Sequence, residues 1–132
     1  MKSIEEALPA SHQFMVQQQD VPIFDGQVVH QVCSTYKLAQ EAEWAGRRVL
    51  LQLIDQDENG IGSAITLNHH ATAHVGTTVE VTARPVSLAG NKLICSFEAR
   101  IGNLLVADGT TEQAILPNSV IDKILKNSSL HA

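Results

Sequence analysis

A chain of 132 residues with 44% apolar side chains has the size and mixture of one soluble domain with a substantial core. Its net charge of -5 argues against nucleic acid as the main partner, because phosphate recognition wants a basic face. No apolar run nears the ~20 residues that span a bilayer, and Met1-Lys-Ser-Ile-Glu-Glu-Ala-Leu8 lacks the apolar core of a signal peptide; the expectation is a cytoplasmic protein with no membrane contact.

Along the chain, Ser11 to Gln17 reads as a strand, and Val21-Pro-Ile-Phe-Asp-Gly26 carries turn residues at both ends. The spacing then predicts a helix from about Thr35 to Ala45, with Ser34 or Thr35 as its cap and Gly46 as its stop. Arg48 to Ile54 is apolar and leans toward a strand, and Asp55-Gln-Asp-Glu-Asn-Gly60 reads as a polar turn. Alternating strands follow at Gly62 to His69 and Thr77 to Val86, the second with Val79, Val81 and Ala83 on one face. Ala89-Gly90-Asn91 is a tight hairpin signal into Lys92 to Ile101. Gly102-Asn103 turns the chain into Leu104 to Leu116, and Pro117-Asn-Ser caps a short helix from Val120 to Lys126.

No linker, repeat or composition break interrupts this order, so the expectation is a single domain over residues 1–132. One helix followed by consecutive antiparallel strands is an α+β pattern. The helix carries the small residues Ala39, Ala42, Ala45 and Gly46 and must bury that stripe on the sheet. A curved antiparallel sheet wrapped around one central helix, the hotdog fold, meets that demand.

Three polar residues stand where packing would prefer apolar ones. Thr35 opens the helix, Glu43 lies among its small residues, and His69 ends a strand on the face of Ile65 and Leu67. A hydroxyl, a carboxylate and an imidazole turned toward one core suggest a reaction centre. Each has a plainer reading: an N-cap, a solvated helix carboxylate, a strand-end histidine. Glu41, two positions from Glu43, serves as the surface comparison.

His69, His70 and His74 invite a metal, but neighbours in a strand face opposite sides, and no metal site is expected. The segment from Asp55 lacks the terminal glutamate of a calcium loop. Cys33 and Cys95 form no Cys-x-x-Cys pair. Cys95 shares a face with Leu93, Phe97, Ala99 and Ile101, which suits a reduced buried thiol.

The segments Val32-Cys-Ser-Thr35, Glu43-Trp-Ala-Gly-Arg47, Ile61-Gly-Ser63, His69-His-Ala-Thr-Ala-His-Val-Gly76 and Ala107-Asp-Gly-Thr110 occur in one order and spacing. From about Val32 to Leu116 the chain thereby resembles the fluoroacetyl-CoA thioesterase and its relatives among the hotdog thioesterases. The resemblance implies Thr35, Glu43 and His69 as catalytic residues and Gly62, His70 and Gly76 as substrate contacts. It also implies hydrolysis of a small acyl-CoA thioester, with CoA entering only as part of the substrate and no cofactor. The implied assembly is a homodimer whose sheets join edge to edge, with the active sites along the interface.

Two positions depart from the family pattern: Ala73-His74 replaces Thr-Pro, and Gln113 matches an arginine. No counterpart is found for the N-terminal segment that shapes the family's acyl pocket and lid. Thioester hydrolysis needs a nucleophile, a proton carrier and donors for the carbonyl oxygen. Glu43, expected to be partly desolvated, would activate water or attack the carbonyl, with His69 moving the proton and Thr35 orienting the groups. The rival reading is a non-catalytic hotdog protein that binds acyl-CoA or another small ligand.

Overall fold

The computed structural model describes residues 1–131, so Ala132, the end of the expected domain, lies outside the described residues. Strand β1 (Ala10–Met15) leads through a 3-10 turn to a small hairpin of β2 (Ile23–Phe24) and β3 (Gln27–Val28). Helix α1 (Thr35–Leu50) follows, then β4 (Glu58–His69), β5 (Thr78–Ala89), β6 (Lys92–Ile101), β7 (Leu104–Pro117) and helix α2 (Asn118–His131). Five strands form one antiparallel sheet in the order β1-β5-β6-β7-β4, which curls around α1 as expected for a hotdog fold.

The alternation read from the sequence holds in the middle strands. Val79, Val81 and Ala83 of β5 are buried, as are Leu93, Cys95, Phe97 and Ala99 of β6. They meet Leu38, Ala42, Ala45 and Val49 of α1 in one apolar core. The hairpins turn where expected, with Gly90 at φ 63° and Gly102 at φ 56°, conformations that cost glycine little. No helix among the described residues is long and apolar enough to cross a membrane.

Helix α1 departs from the expectation at its C-terminal end. Gly46 is not its stop, and Arg48 to Leu50 form its last turn rather than the start of a strand. Val49 and Leu50 extend the buried face set by Leu38, Ala42 and Ala45, so the apolar run there is helical in period. Gly46 serves contact instead of termination: a Cβ at this position would lie 2.6 Å from Thr111 Oγ1 on β7. Glycine in a helix interior costs about 1 kcal/mol relative to alanine, and the close approach of helix and sheet offsets it.

Strand β4 occupies one edge of the sheet and begins at Glu58, inside the segment expected to be a turn. Its register slips between Gly62 and Ala64, leaving Ser63 as the extra residue, with its hydroxyl 2.7 Å from Glu112 Oε2. Unlike β5 and β6, β4 buries none of its residues fully, and Ile65 is exposed.

Candidate active site

Two adjacent residues share the start of α1. The Ser34 hydroxyl, buried, accepts the Lys37 N–H at 3.0 Å and so is the N-cap. That frees the hydroxyl of Thr35, one position on, to meet His69 Nδ1 at 3.0 Å. His69 stands at the end of β4, opposite Ala107 of β7. Thr35 and His69, far apart in sequence, are therefore brought into direct contact.

Glu43 is not part of that contact. It lies eight residues along α1 from Thr35, about 12 Å at 1.5 Å per residue. There it faces the other end of β4: a Cβ on Gly62 would sit 3.7 Å from Glu43 Oε1. Glu43 and Gly62 line a cavity of about 140 Å³, closed on its far wall by Thr111 and Gln113. On its opposite side Glu43 borders a wider cleft of about 660 Å³, which Phe14 and Trp44 help to line. Among the described residues, its carboxylate has no hydrogen-bond or ion-pair partner.

Thr35, Glu43 and His69 are all exposed, which corrects the expectation that they turn into one core and that Glu43 is desolvated. The cause is topological. They sit where α1 meets an edge strand, and among the described residues no strand lies beyond that edge.

The other expected substrate contacts separate. Gly62 adjoins Glu43. His70 turns from His69 and meets Asp108 Oδ1 on β7 at 2.8 Å, while both histidines border a shallow hollow. Gly76 belongs to the turn into β5; its φ is 95°, and its N–H donates to the Val16 carbonyl at 2.8 Å. His74 anchors the same turn through its carbonyl, which accepts from Thr77. Among the described residues, no group of three His, Cys, Asp or Glu side chains is placed to hold a metal.

Glu41, expected to be solvated, is instead engaged on both sides. Its carboxylate bridges His12 Nε2 and Lys37 Nζ, both at 2.8 Å, tying α1 to β1. Burial pushes its carboxyl up, but hydrogen bonds from Lys37 and His12 outweigh this and hold it below its usual range. The cysteines are unsuited to nucleophilic work. Burial pushes the Cys33 thiol up to about 12 and the Cys95 thiol to about 11.

Sequence reasoning missed Thr111, which shares the inward face of β7 with Gln113 and Ile115. The available signal was two polar residues at alternate positions on an inward-facing stretch. Arg47 also joins the Glu43 cavity, its guanidinium held by Asn59 Oδ1 at 2.9 Å.

Known proteins match both the sequence and the fold. The family model described as fluoroacetyl-CoA-specific thioesterase (FlK) matches residues 16–119. A fluoroacetyl-CoA thioesterase of Streptantibioticus cattleyicolor is 34% identical over 74 residues, covering 56% of this chain and 53% of that protein, so the match spans about half of that relative's length. A Thermus thermophilus hypothetical protein, described as a thioesterase superfamily member, superposes with a TM-score of 0.94 at 31% identity, covering 99% of this chain and 97% of the other. A mutant of the fluoroacetyl-CoA-specific thioesterase FlK gives a TM-score of 0.84 at 22% identity, covering 97% and 99%, which speaks to the fold alone.

Proposed function

Because the chain belongs to the fluoroacetyl-CoA-specific thioesterase family, we propose that it hydrolyses a small acyl-CoA thioester through Thr35, Glu43 and His69. The observation that carries this reading is the 3.0 Å contact between Thr35 and His69 at one end of the α1–β4 cleft, with Glu43 over a cavity at the other. Glu43 draws a proton from water as its oxygen bonds the thioester carbon. Alternatively, Glu43 attacks that carbon itself, and water then releases the acyl group. The carbon–sulfur bond breaks, and CoA leaves as a thiolate that is protonated through His69. The Ser34 cap leaves the first-turn N–H groups of Thr35 and Tyr36 available to the carbonyl oxygen as it gains charge.

The 12 Å gap along α1 supports a homodimer. Edge strand β4 is long, regular beyond its bulge, and half-exposed throughout. Two copies paired antiparallel about a two-fold axis near Ile65 and Thr66 exchange the ends of the cleft. Glu43 of one copy then faces the Thr35–His69 pair of the other, and the three groups converge at each of two sites. The dimer also covers the surface on which all three are exposed.

The test is thiol release from short acyl-CoA esters by wild type, Glu43→Gln and Asp122→Asn, the last an exposed carboxylate on α2. We expect Glu43→Gln to lose about 100-fold to 10,000-fold in kcat while Asp122→Asn matches wild type. Binding of the esters without release of thiol by wild type would replace this reading with the non-catalytic one.

A further inference from the structure

The cavity beneath Glu43 holds two polar side chains that the protein leaves poorly satisfied. Thr111 is 3% exposed and Gln113 8% exposed. Among the described residues, Gln113 Nε2 has no hydrogen-bond partner, and Thr111 Oγ1 has none beyond the Cys95 thiol. Cys95, opposite Thr111 on β6, offers only a thiol, a weak partner. Gly46 allows α1 to cover both: a Cβ there would lie 2.6 Å from Thr111 Oγ1 and 3.5 Å from Gln113 Nε2. Mid-helix backbone groups are already paired along α1 and cannot serve them.

Of the other polar walls, Arg47 is engaged with Asn59 and Glu112 with Ser63, which leaves the Glu43 carboxylate at the mouth of the cavity. Buried polar groups are ordinarily bonded. An unpartnered amide and a hydroxyl served only by a thiol, gathered at a cavity beside the proposed catalytic carboxylate, are groups for which a ligand supplies a better partner.

We propose that this cavity is the acyl subsite, and that Gln113 and Thr111 select short acyl groups bearing an uncharged oxygen, a hydroxyl or a ketone, over matched hydrocarbons. The inference deepens the thioesterase reading, on which it rests. A volume of about 140 Å³ holds four or five water-sized groups at about 30 Å³ each, the scale of a four-carbon acyl chain. A hydroxyl or ketone oxygen accepts from the amide and the threonine hydroxyl, whereas a hydrocarbon chain leaves the amide unpaired and the hydroxyl with only the Cys95 thiol. Sites built to hydrogen-bond a substrate reject the analogue lacking that group strongly. Glu43 and Glu112 both border the cavity and disfavour an acyl chain ending in a carboxylate.

Calorimetry with non-hydrolysable CoA thioethers reads the subsite without turnover. S-butyl-CoA is compared with S-(3-oxobutyl)-CoA and S-(3-hydroxybutyl)-CoA on wild type and Gln113→Met. Thiol release from butyryl-, acetoacetyl-, 3-hydroxybutyryl- and succinyl-CoA is measured in parallel. We expect wild type to bind the oxygenated thioethers about 10- to 100-fold more tightly than S-butyl-CoA, and Gln113→Met to reduce that ratio to about threefold or less. If Gln113→Met does not fold, Thr111→Val takes the same comparison.

Equal affinities in wild type, a ratio unchanged by the substitution, or no thioether binding overturns the inference. A preference for succinyl-CoA over the ketone overturns its uncharged oxygen. A binding preference without turnover of any ester upholds the subsite and overturns the thioesterase reading instead.

Discussion

Ser34 and Thr35 carry similar hydroxyls and do different work, because only one of them can cap α1. The Ser34 side chain satisfies the Lys37 N–H. Ser34→Ala therefore leaves a donor without its partner and should cost about 1 kcal/mol in urea unfolding. Among the described residues, the Thr35 hydroxyl bonds His69 and no backbone group. Thr35→Val should leave unfolding within about 0.5 kcal/mol of wild type while thiol release falls by up to about 100-fold. A Thr35→Val protein as active as wild type would remove the residue from the proposed centre.

Glu41 shows the opposite case, a carboxylate that matters to the fold. Its folded-state pKa is lowered from 4.5, so the folded protein binds that proton less readily than the unfolded chain. The resulting stability is present above the unfolded pKa and is lost as pH falls through the folded value. We expect Glu41→Gln to be less stable than wild type at pH 7, with the difference shrinking as pH falls below about 4.5. A stability gap that holds constant from pH 7 to pH 3 would show that the bridge to His12 and Lys37 contributes nothing through charge.

At the scale of elements, α1 and β7 approach each other through Gly46. The substitution Gly46→Ala raises helix propensity by about 1 kcal/mol but places a methyl 2.6 Å from the buried Thr111 hydroxyl. Overpacking of this kind costs about 1–3 kcal/mol. The contact wins, and Gly46→Ala should unfold at lower urea than wild type. An increase in stability would mean that the helix can shift outward without penalty. The same approach closes the cavity lined by Glu43 and Gln113, so packing at Gly46 and the shape of the candidate subsite are linked. The bulge at Ser63 acts on the neighbouring strand, interrupting its pairing with β7 beside Gly62.

For the whole molecule, the exposure of the β4 edge is what a single chain leaves unexplained. A strand of 12 residues at a sheet edge, with Ile65 exposed, invites pairing with another chain. The dimer proposed from it predicts a solution mass twice the 14.3 kDa of one chain, measured by light scattering. A particle that stays at one chain's mass at working concentration, yet hydrolyses esters, would require Glu43 to act without the Thr35–His69 pair opposite it.

Period-two burial and glycine turns are local properties, so the order of elements and the alternation of the middle strands are legible in the residues themselves. The family motifs likewise single out Thr35, Glu43, His69 and Gly62 as candidates, since their spacing belongs to the chain whatever its shape. Contacts across elements are not legible in this way. Gly46 reads as a helix stop until β7 is seen pressed against it, and Arg48 to Ile54 reads as a strand until Val49 and Leu50 are seen to continue the buried helix face. Glu41 reads as solvated until His12 arrives from β1. The choice of Ser34 as cap, the contact of Thr35 with His69 and the unpaired Gln113 amide beside Thr111 belong to tertiary structure alone. They depend on which strand lies at the edge and how closely the helix settles on the sheet, and no local pattern encodes either.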